Sequence, residues 1–245
     1  VDGHVMTGSN NIPTLMDIGI KDGKITSIGK LKKELSLKTV DCSNLVILPG
    51  VIDTQVHFRD PGLTHKEDIE SGSRSAVLGG ITAFCEMPNT KPLTISEFEL
   101  SKKIKKSEKV SWCDYAFFVG ATSKNISNLH VYEKLPGCAG VKIFMGSSTG
   151  ELLVHDDETL LKIMEHGSRR VAVHAEDEKR LKDRFKFYNK YNDARYHPIW
   201  RDPKSALLAT KRIMDIANKA NRPLHILHIS SALEMKLLQR KSRLI

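Results

Sequence analysis

Apolar and polar positions change rhythm near residue 49. Before it, residues 14 to 29 alternate on both sides of Asp22-Gly23, the period of half-buried strands broken by a two-residue turn signal, which predicts a β-hairpin. Residues 1–48 therefore read as a small β unit. From Pro49 onward, short runs that are apolar on both faces recur at 50–57, 80–86, 114–120, 140–145, 171–174 and 224–228, as expected of parallel strands covered by helices. Helix starts are readable between them. Thr64-x-x-Glu67 and Ser96-x-x-Glu99 have the capping-box spacing, and Asp202-Pro203 sets an N-cap before a first-turn proline. Ala206, Ala209, Ile213, Ala217 and Ala220 then form one apolar helical stripe. Alternating units of this kind predict an α/β fold over 49–245, either a TIM-type (β/α)8 barrel or an open doubly wound sheet. Six strand windows are fewer than the eight of a closed barrel, so the barrel is expected to be incomplete or the sequence a fragment.

Composition narrows the function classes. With 40% hydrophobic and 27% charged residues the chain reads as an ordinary globular protein. It has no run of 18 apolar residues and no secretory layout at Val1 to Asn10, so the expected location is cytoplasmic, with no membrane partner. The formal charge of +9 is spread over helices such as Lys102 to Lys106 and Lys179 to Lys190. No aromatic residues interleave the first run and no nucleic-acid module is present, so these are read as solvated faces rather than a nucleic-acid footprint. Such a charge is compatible with small anionic ligands. Cys42, Cys85, Cys113 and Cys138 lie far apart without CxxC spacing, which predicts reduced, mostly buried thiols.

The stretch Pro49 to Gly62 carries the first candidate chemistry. Asp53, Gln55, His57 and Arg59 fall at a spacing of two, which on a strand places all four on one face, and burying such a set calls for a metal or charged ligand. Lys142, His174 and His228 each stand near the C-terminal end of a predicted strand, the edge where barrel enzymes collect working residues. Nitrogen donors from four strands at one mouth suit zinc. Lys142 is the sharpest case, since a lysine inside an apolar strand must lose its charge or find an anion, and a neutral amine can take up carbon dioxide as a metal-bridging carbamate. The plain alternative is a lysine that reaches solvent. His225, three residues before His228, is expected on the opposite face as a structural residue. His4, His65, His130, His155 and His166 read as solvated. Arg59 can grip a carboxylate bidentately or pair with Glu67 or Asp68. Asn89 can donate to the same ligand or serve as a turn residue beside Pro88. Asp53 is a candidate orienter of a ligand histidine.

Taken together, Pro49 to Gly62, Glu86-Met87-Pro88-Asn89-Thr90 and Lys142-Ile143-Phe144-Met145-Gly146-Ser147-Ser148-Thr149-Gly150 resemble the amidohydrolase superfamily and, within it, the dihydroorotases. The resemblance implies a TIM barrel with a small β-sandwich and Zn2+ in the barrel mouth. The implied activity is reversible hydrolysis of dihydroorotate to N-carbamoyl-L-aspartate in pyrimidine biosynthesis. By position, His57, His174 and His228 would ligate metal, Lys142 would be the carbamylated bridge, and Arg59 and Asn89 would hold the substrate carboxylate. The implied partners are that small anionic substrate and either a homo-oligomer or aspartate transcarbamoylase. Two departures stand out. Gln55 occupies a position where the family has histidine, and an amide oxygen is the poorer zinc ligand. The family's general acid/base aspartate, from a late Thr-Asp-His type motif, has no counterpart in this sequence. Such help is worth a factor of roughly 100 to 10,000. Two alternatives therefore stay open: a non-catalytic helper of a partner enzyme, and a related cyclic amidase acting on a neutral ring, against which Arg59 argues.

Overall fold

Two sheets divide the strands, in a computed structural model that describes residues 1–8, 12–32, 35–146, 150–191 and 193–239. The smaller contains β1 (Gly3–Val5), β2 (Thr14–Lys21), β3 (Lys24–Gly29) and β4 (Val46–Ile47) in the order β3-β2-β1-β4. Its β2–β3 hairpin turns at Asp22 and Gly23, whose φ values of 51° and 72° match the twist of the flanking strands. Asp17 is buried there and its carboxylate accepts from the backbone N–H groups of Asp2 at 2.8 Å and Leu31 at 2.9 Å, tying the hairpin to the chain start.

The larger sheet holds β5 (Val51–Val56), β6 (Ile81–Glu86), β7 (Asp114–Gly120), β8 (Cys138–Phe144), β9 (Val171–His174) and β10 (Leu224–Ile226). They lie in sequence order and every neighbouring pair is parallel. A doubly wound sheet reverses its order at a switch point. This one never does, so the chain builds successive β/α units of a TIM-type barrel, incomplete among the described residues.

Register then assigns the faces. Val119, Val141, Val171 and Leu224 are level with one another across β7 to β10 and are fully buried. Val141, Val171 and Leu224 pack with Leu160 and Ile163 of the helix Asp157–Glu165 and with Ala209, Ile213 and Ala217 of the helix Pro203–Ala220, whereas Val119 packs with Phe84, Leu100 and Phe117. Each such side chain taken from water contributes roughly 1.5–3 kcal/mol before entropy. The adjoining row, Gly120, Lys142, Ala172 and His225, faces the other way, and Ala172 packs with Met87, Phe118 and Leu227.

Helix starts show which local signals prevail. Ser96 caps α2 (Glu97–Val110) and accepts from the Glu99 N–H, and Asp202 caps the Pro203–Ala220 helix ahead of Pro203, as their spacing predicts. The Thr64 box does not start a helix. Residues 64–66 form a turn, and α1 (Ile69–Leu78) begins after Asp68, whose side chain accepts from Ser71 N–H at 2.8 Å.

The Lys102 to Lys106 run is also not simply a solvated face. Lys102 and Lys105 are exposed, but Lys103 is buried against Glu86, and Lys106 reaches the buried Asp60 at 2.6 Å. All four thiols are free, with Cys138 buried and the other three half-buried. The described residues include no helix long and apolar enough to cross a membrane.

Candidate functional site

Beyond Val56 the chain leaves β5, and Arg59 takes a φ of 68°. Alternation therefore stops short of Arg59, so the single polar face expected from Asp53 to Arg59 does not form. Asp53 instead is exposed and accepts from the Gln55 N–H at 3.0 Å, with no hydrogen bond to a histidine among the described residues, while Gln55 is half-buried. The loop reaches the mouth by another route. Met87 N–H donates to Val56 at 3.0 Å and Lys91 N–H to Pro61 at 2.9 Å, lacing residues 57–62 to residues 87–91. Gly62 has φ 89°, and a Cβ there would stand 1.9 Å from the Lys91 carbonyl oxygen, so no other residue allows this approach.

Within this laced pair, His57 Nδ1 meets Asn89 Oδ1 at 2.8 Å, and the Arg59 guanidinium donates to the Asn89 backbone carbonyl at 3.3 Å. With Nδ1 donating, Nε2 of His57 keeps its lone pair. Burial above all, and then the neighbouring Arg59 guanidinium, lower His57 to about 4 against the pull of the Asn89 hydrogen bond. The imidazole is neutral at pH 7 and open to a cation. Neither Glu67 nor Asp68 pairs with Arg59, and no ion pair to its guanidinium occurs among the described residues.

Across the sheet, His174 at the end of β9 places Nδ1 at 3.0 Å from His228 Nε2. Its Nε2 meets Glu176 at 2.6 Å, and Glu176 is ion-paired to Arg201, whose Nε lies 3.0 Å from the second carboxylate oxygen. This Arg201–Glu176–His174 chain fixes the imidazole with Nε2–H outward and Nδ1 as the inward lone pair. Burial raises Glu176, but the bonds from His174 and Arg201 outweigh it and hold the carboxyl at about 2. Two nitrogen donors on one tetrahedral zinc stand roughly 3.3 Å apart, from Zn–N distances of about 2.0–2.1 Å. The 3.0 Å separation is close to that.

Lys142 stands in the inward row of β8, 1% exposed, and its Nζ has no hydrogen-bond partner among the described residues. The face of Phe144, 4.4 Å away, is its attractive contact. Burial drives its pKa well below the ordinary lysine value. β8 lies inside the strand order, with β9 and β10, which lead to His174 and His228, on one side and β7, β6 and β5, which leads to His57, on the other. No three His, Cys, Asp or Glu side chains converge as a ready metal cluster among the described residues, so His174 and His228 are brought together but His57 does not join them as the third member of a histidine set.

His225 corrects the sequence expectation. It is level with Lys142 and Ala172 and shares their face. The odd-spacing rule separates two residues only while both stay on the strand. β10 ends at Ile226 and His228 has φ 41°, so both rings come within the influence of Lys142. Partial burial, then His174 and Lys142, lower His228 to about 4. His4, His65, His130, His155 and His166 are exposed. Glu176 and Arg201 were not anticipated. A carboxylate two residues beyond a strand-end histidine was the available signal for the first, whereas Arg201 is brought in only by tertiary folding. Ser147 to Thr149 of the quoted motif lie outside the described residues.

A model of the amidohydrolase family matches residues 46–240. The chain is similar to a dihydroorotase of Pyrococcus abyssi, 35% identical over 94% of this chain and 48% of that protein. It is likewise similar to a dihydroorotase of Pyrococcus furiosus, 36% identical over 90% and 47%. It thus spans about half the length of the curated relatives it matches. An L-hydantoinase (dihydropyrimidinase) from Arthrobacter aurescens shares the fold, with a TM-score of 0.82 and 24% identity over 98% of this chain and 54% of that one.

Proposed function

We propose that this chain, which belongs to the amidohydrolase family, serves the reversible hydrolysis of dihydroorotate to N-carbamoyl-L-aspartate with a divalent cation at the mouth of the sheet. The observation that carries the reading is the buried amine of Lys142, without a hydrogen-bond partner among the described residues, on the strand that lies between those leading to His57 and to His174 and His228. A neutral amine adds to carbon dioxide: a nitrogen–carbon bond forms, a proton leaves, and an anionic carbamate replaces a group that its surroundings cannot solvate. That carbamate, with His174 and His228 and then His57, is a nitrogen and oxygen donor set that fits zinc. Gln55 adds only an amide oxygen, so we assign one firmly held cation. When bound, the cation supplies Lewis-acid polarisation of the ring carbonyl and makes water a better nucleophile.

The chain's own residues do the rest. Arg59, without a carboxylate partner among the described residues, offers a planar fork to the substrate carboxylate, and the Asn89 side-chain N–H group would donate beside it. His57 is held by Asn89, so the substrate-gripping and cation-facing groups share one hydrogen-bonded unit. Glu176 and Arg201 keep the His174 lone pair inward. Arg59 also favours this reading over a neutral-ring amidase.

The test is to load the protein with zinc and bicarbonate, then measure zinc content, dihydroorotate hydrolysis, and calorimetric binding of N-carbamoyl-L-aspartate, with hydantoin as the neutral control. We expect about one zinc per chain and binding of the dicarboxylate in preference to hydantoin. No zinc retention together with no binding of N-carbamoyl-L-aspartate would overturn the reading.

A further inference from the structure

We propose that Glu86, Lys103, Asp60 and Lys106 form a charged cradle beneath the mouth that sets the position of the Arg59 and Asn89 loops, acting as positioning residues for carboxylate binding. The inference deepens the substrate reading above and rests on it for its ligand.

Glu86 ends β6 three residues before Asn89, and Asp60 follows Arg59 directly. Both carboxylates are 0% exposed. Each meets a lysine from one face of α2: Lys103 Nζ lies 2.6 Å from Glu86, and Lys106 Nζ lies 2.6 Å from Asp60. Residues three apart on a helix stand one above the other, so a single helix face serves both loops. Lys103 is as buried as its partner, 2% exposed and over the ring of Phe117 at 4.7 Å.

The Lys103–Glu86 pair is not a device for stability alone, because a buried ion pair gains little over apolar residues of the same shape, and the Lys106–Asp60 pair, with its lysine half exposed, is screened by solvent. What these pairs add is direction. Burial pushes the Glu86 carboxyl up and the Lys103 ammonium 2.6 Å away opposes it, so the lysine is what holds a charge at the end of β6. The second Asp60 oxygen accepts from Ile69 N–H at 3.1 Å, which fixes the loop to the start of α1. The loop carrying His57 and Arg59 is thus gripped from α1 and from α2, while Lys103 holds the end of β6 that leads into Asn89. The neighbouring 87–91 loop is laced to it by the Met87 and Lys91 hydrogen bonds.

The experiment separates positioning from stability. Lys103→Met alone strands the Glu86 charge and should lower the melting temperature. In the double variant Glu86→Leu/Lys103→Met, apolar contact replaces the pair and the melting temperature should return to near wild type. If the cradle positions the loops, the double variant still shows moved imidazole 15N resonances for His57 with those of His174 and His228 unmoved. Its Kd for N-carbamoyl-L-aspartate should rise roughly tenfold or more, with zinc content unchanged. Unmoved His57 signals in the refolded double variant would overturn the cradle. Should the double variant fail to fold, Lys106→Met, whose side chain is half exposed, carries the same readouts with the same meaning. Failure of the wild-type protein to bind the dicarboxylate would sink the substrate reading alone, because the His57 resonances report loop position without ligand.

Discussion

Replacing Lys142 by methionine should raise the stability of the metal-free protein while destroying its capacity to retain zinc. The side chain is 1% exposed, no carboxylate or hydrogen-bond acceptor reaches its nitrogen among the described residues, and the ring of Phe144 at 4.4 Å is the compensating contact. Taking an ammonium out of water costs several kcal/mol even after relaxation, and a desolvated cation–π contact returns about 2. Keeping the amine neutral instead costs the free energy of its lowered pKa. Methionine has a similar length and flexibility without the charge. A net gain of about 2 kcal/mol is expected, which for a chain of this size is a rise of roughly 4–8 °C in Tm. Scanning calorimetry of metal-stripped protein in buffer purged of carbon dioxide reads it directly. In 13C-bicarbonate the wild type should show a carbamate carbon resonance that the variant lacks, and zinc should remain with the wild type only. A variant that melts lower than wild type under metal-free conditions, or that keeps its zinc, would show that the amine is neither a strained guest nor the seat of the bridge.

Arg59→Ala should weaken N-carbamoyl-L-aspartate binding by roughly 10- to 150-fold, the 1.5–3 kcal/mol of a charged hydrogen-bonded contact, with zinc unchanged; calorimetry giving the wild-type Kd would remove Arg59 from the site. Stability should also fall as the pH drops from 6.5 to 4. Unfolded His57 and His228 take up protons near 6.5, whereas in the folded chain they do so only at about 4, so the unfolded state binds more protons in that window. The size is reduced because the mouth is open to solvent. Below 4.5 a further loss follows as the Glu176 carboxylate, held at about 2 when folded, is protonated first in the unfolded chain. Urea midpoints measured at pH 7, 5.5 and 4.5 should decline in that order, and a flat series would contradict the assigned burial of the two imidazoles.

Much of the larger sheet was legible because its strands announce themselves by composition. All six windows became strands, with boundaries shifted by a residue or two where β8 starts early at Cys138 and β10 stops at Ile226. Periodicity could not choose between barrel and doubly wound sheet, since both repeat β and α; strand order decided it. Local caps were legible where the side chain had no competitor. At Thr64 the signal was outbid by Asp68, which sits immediately before the apolar run that α1 buries through Ile69. His57, Lys142, His174 and His228 could be picked out because strand ends are one-dimensional features. The Lys103–Glu86 pair could not, because a lysine in a basic helix looks solvated until the helix is docked. His225 was misplaced for a related reason: alternation is a property of extended backbone, and a single left-handed residue ends it.

His57 follows the first strand of the large sheet and His228 the last, with Lys142 between them. A ligand gripped from both sides would therefore act as a staple across the whole span of the sheet and fix its curl. Ligand affinity and sheet curvature then become a single linked quantity, and any binding appears as resistance to unfolding that grows with the logarithm of ligand concentration.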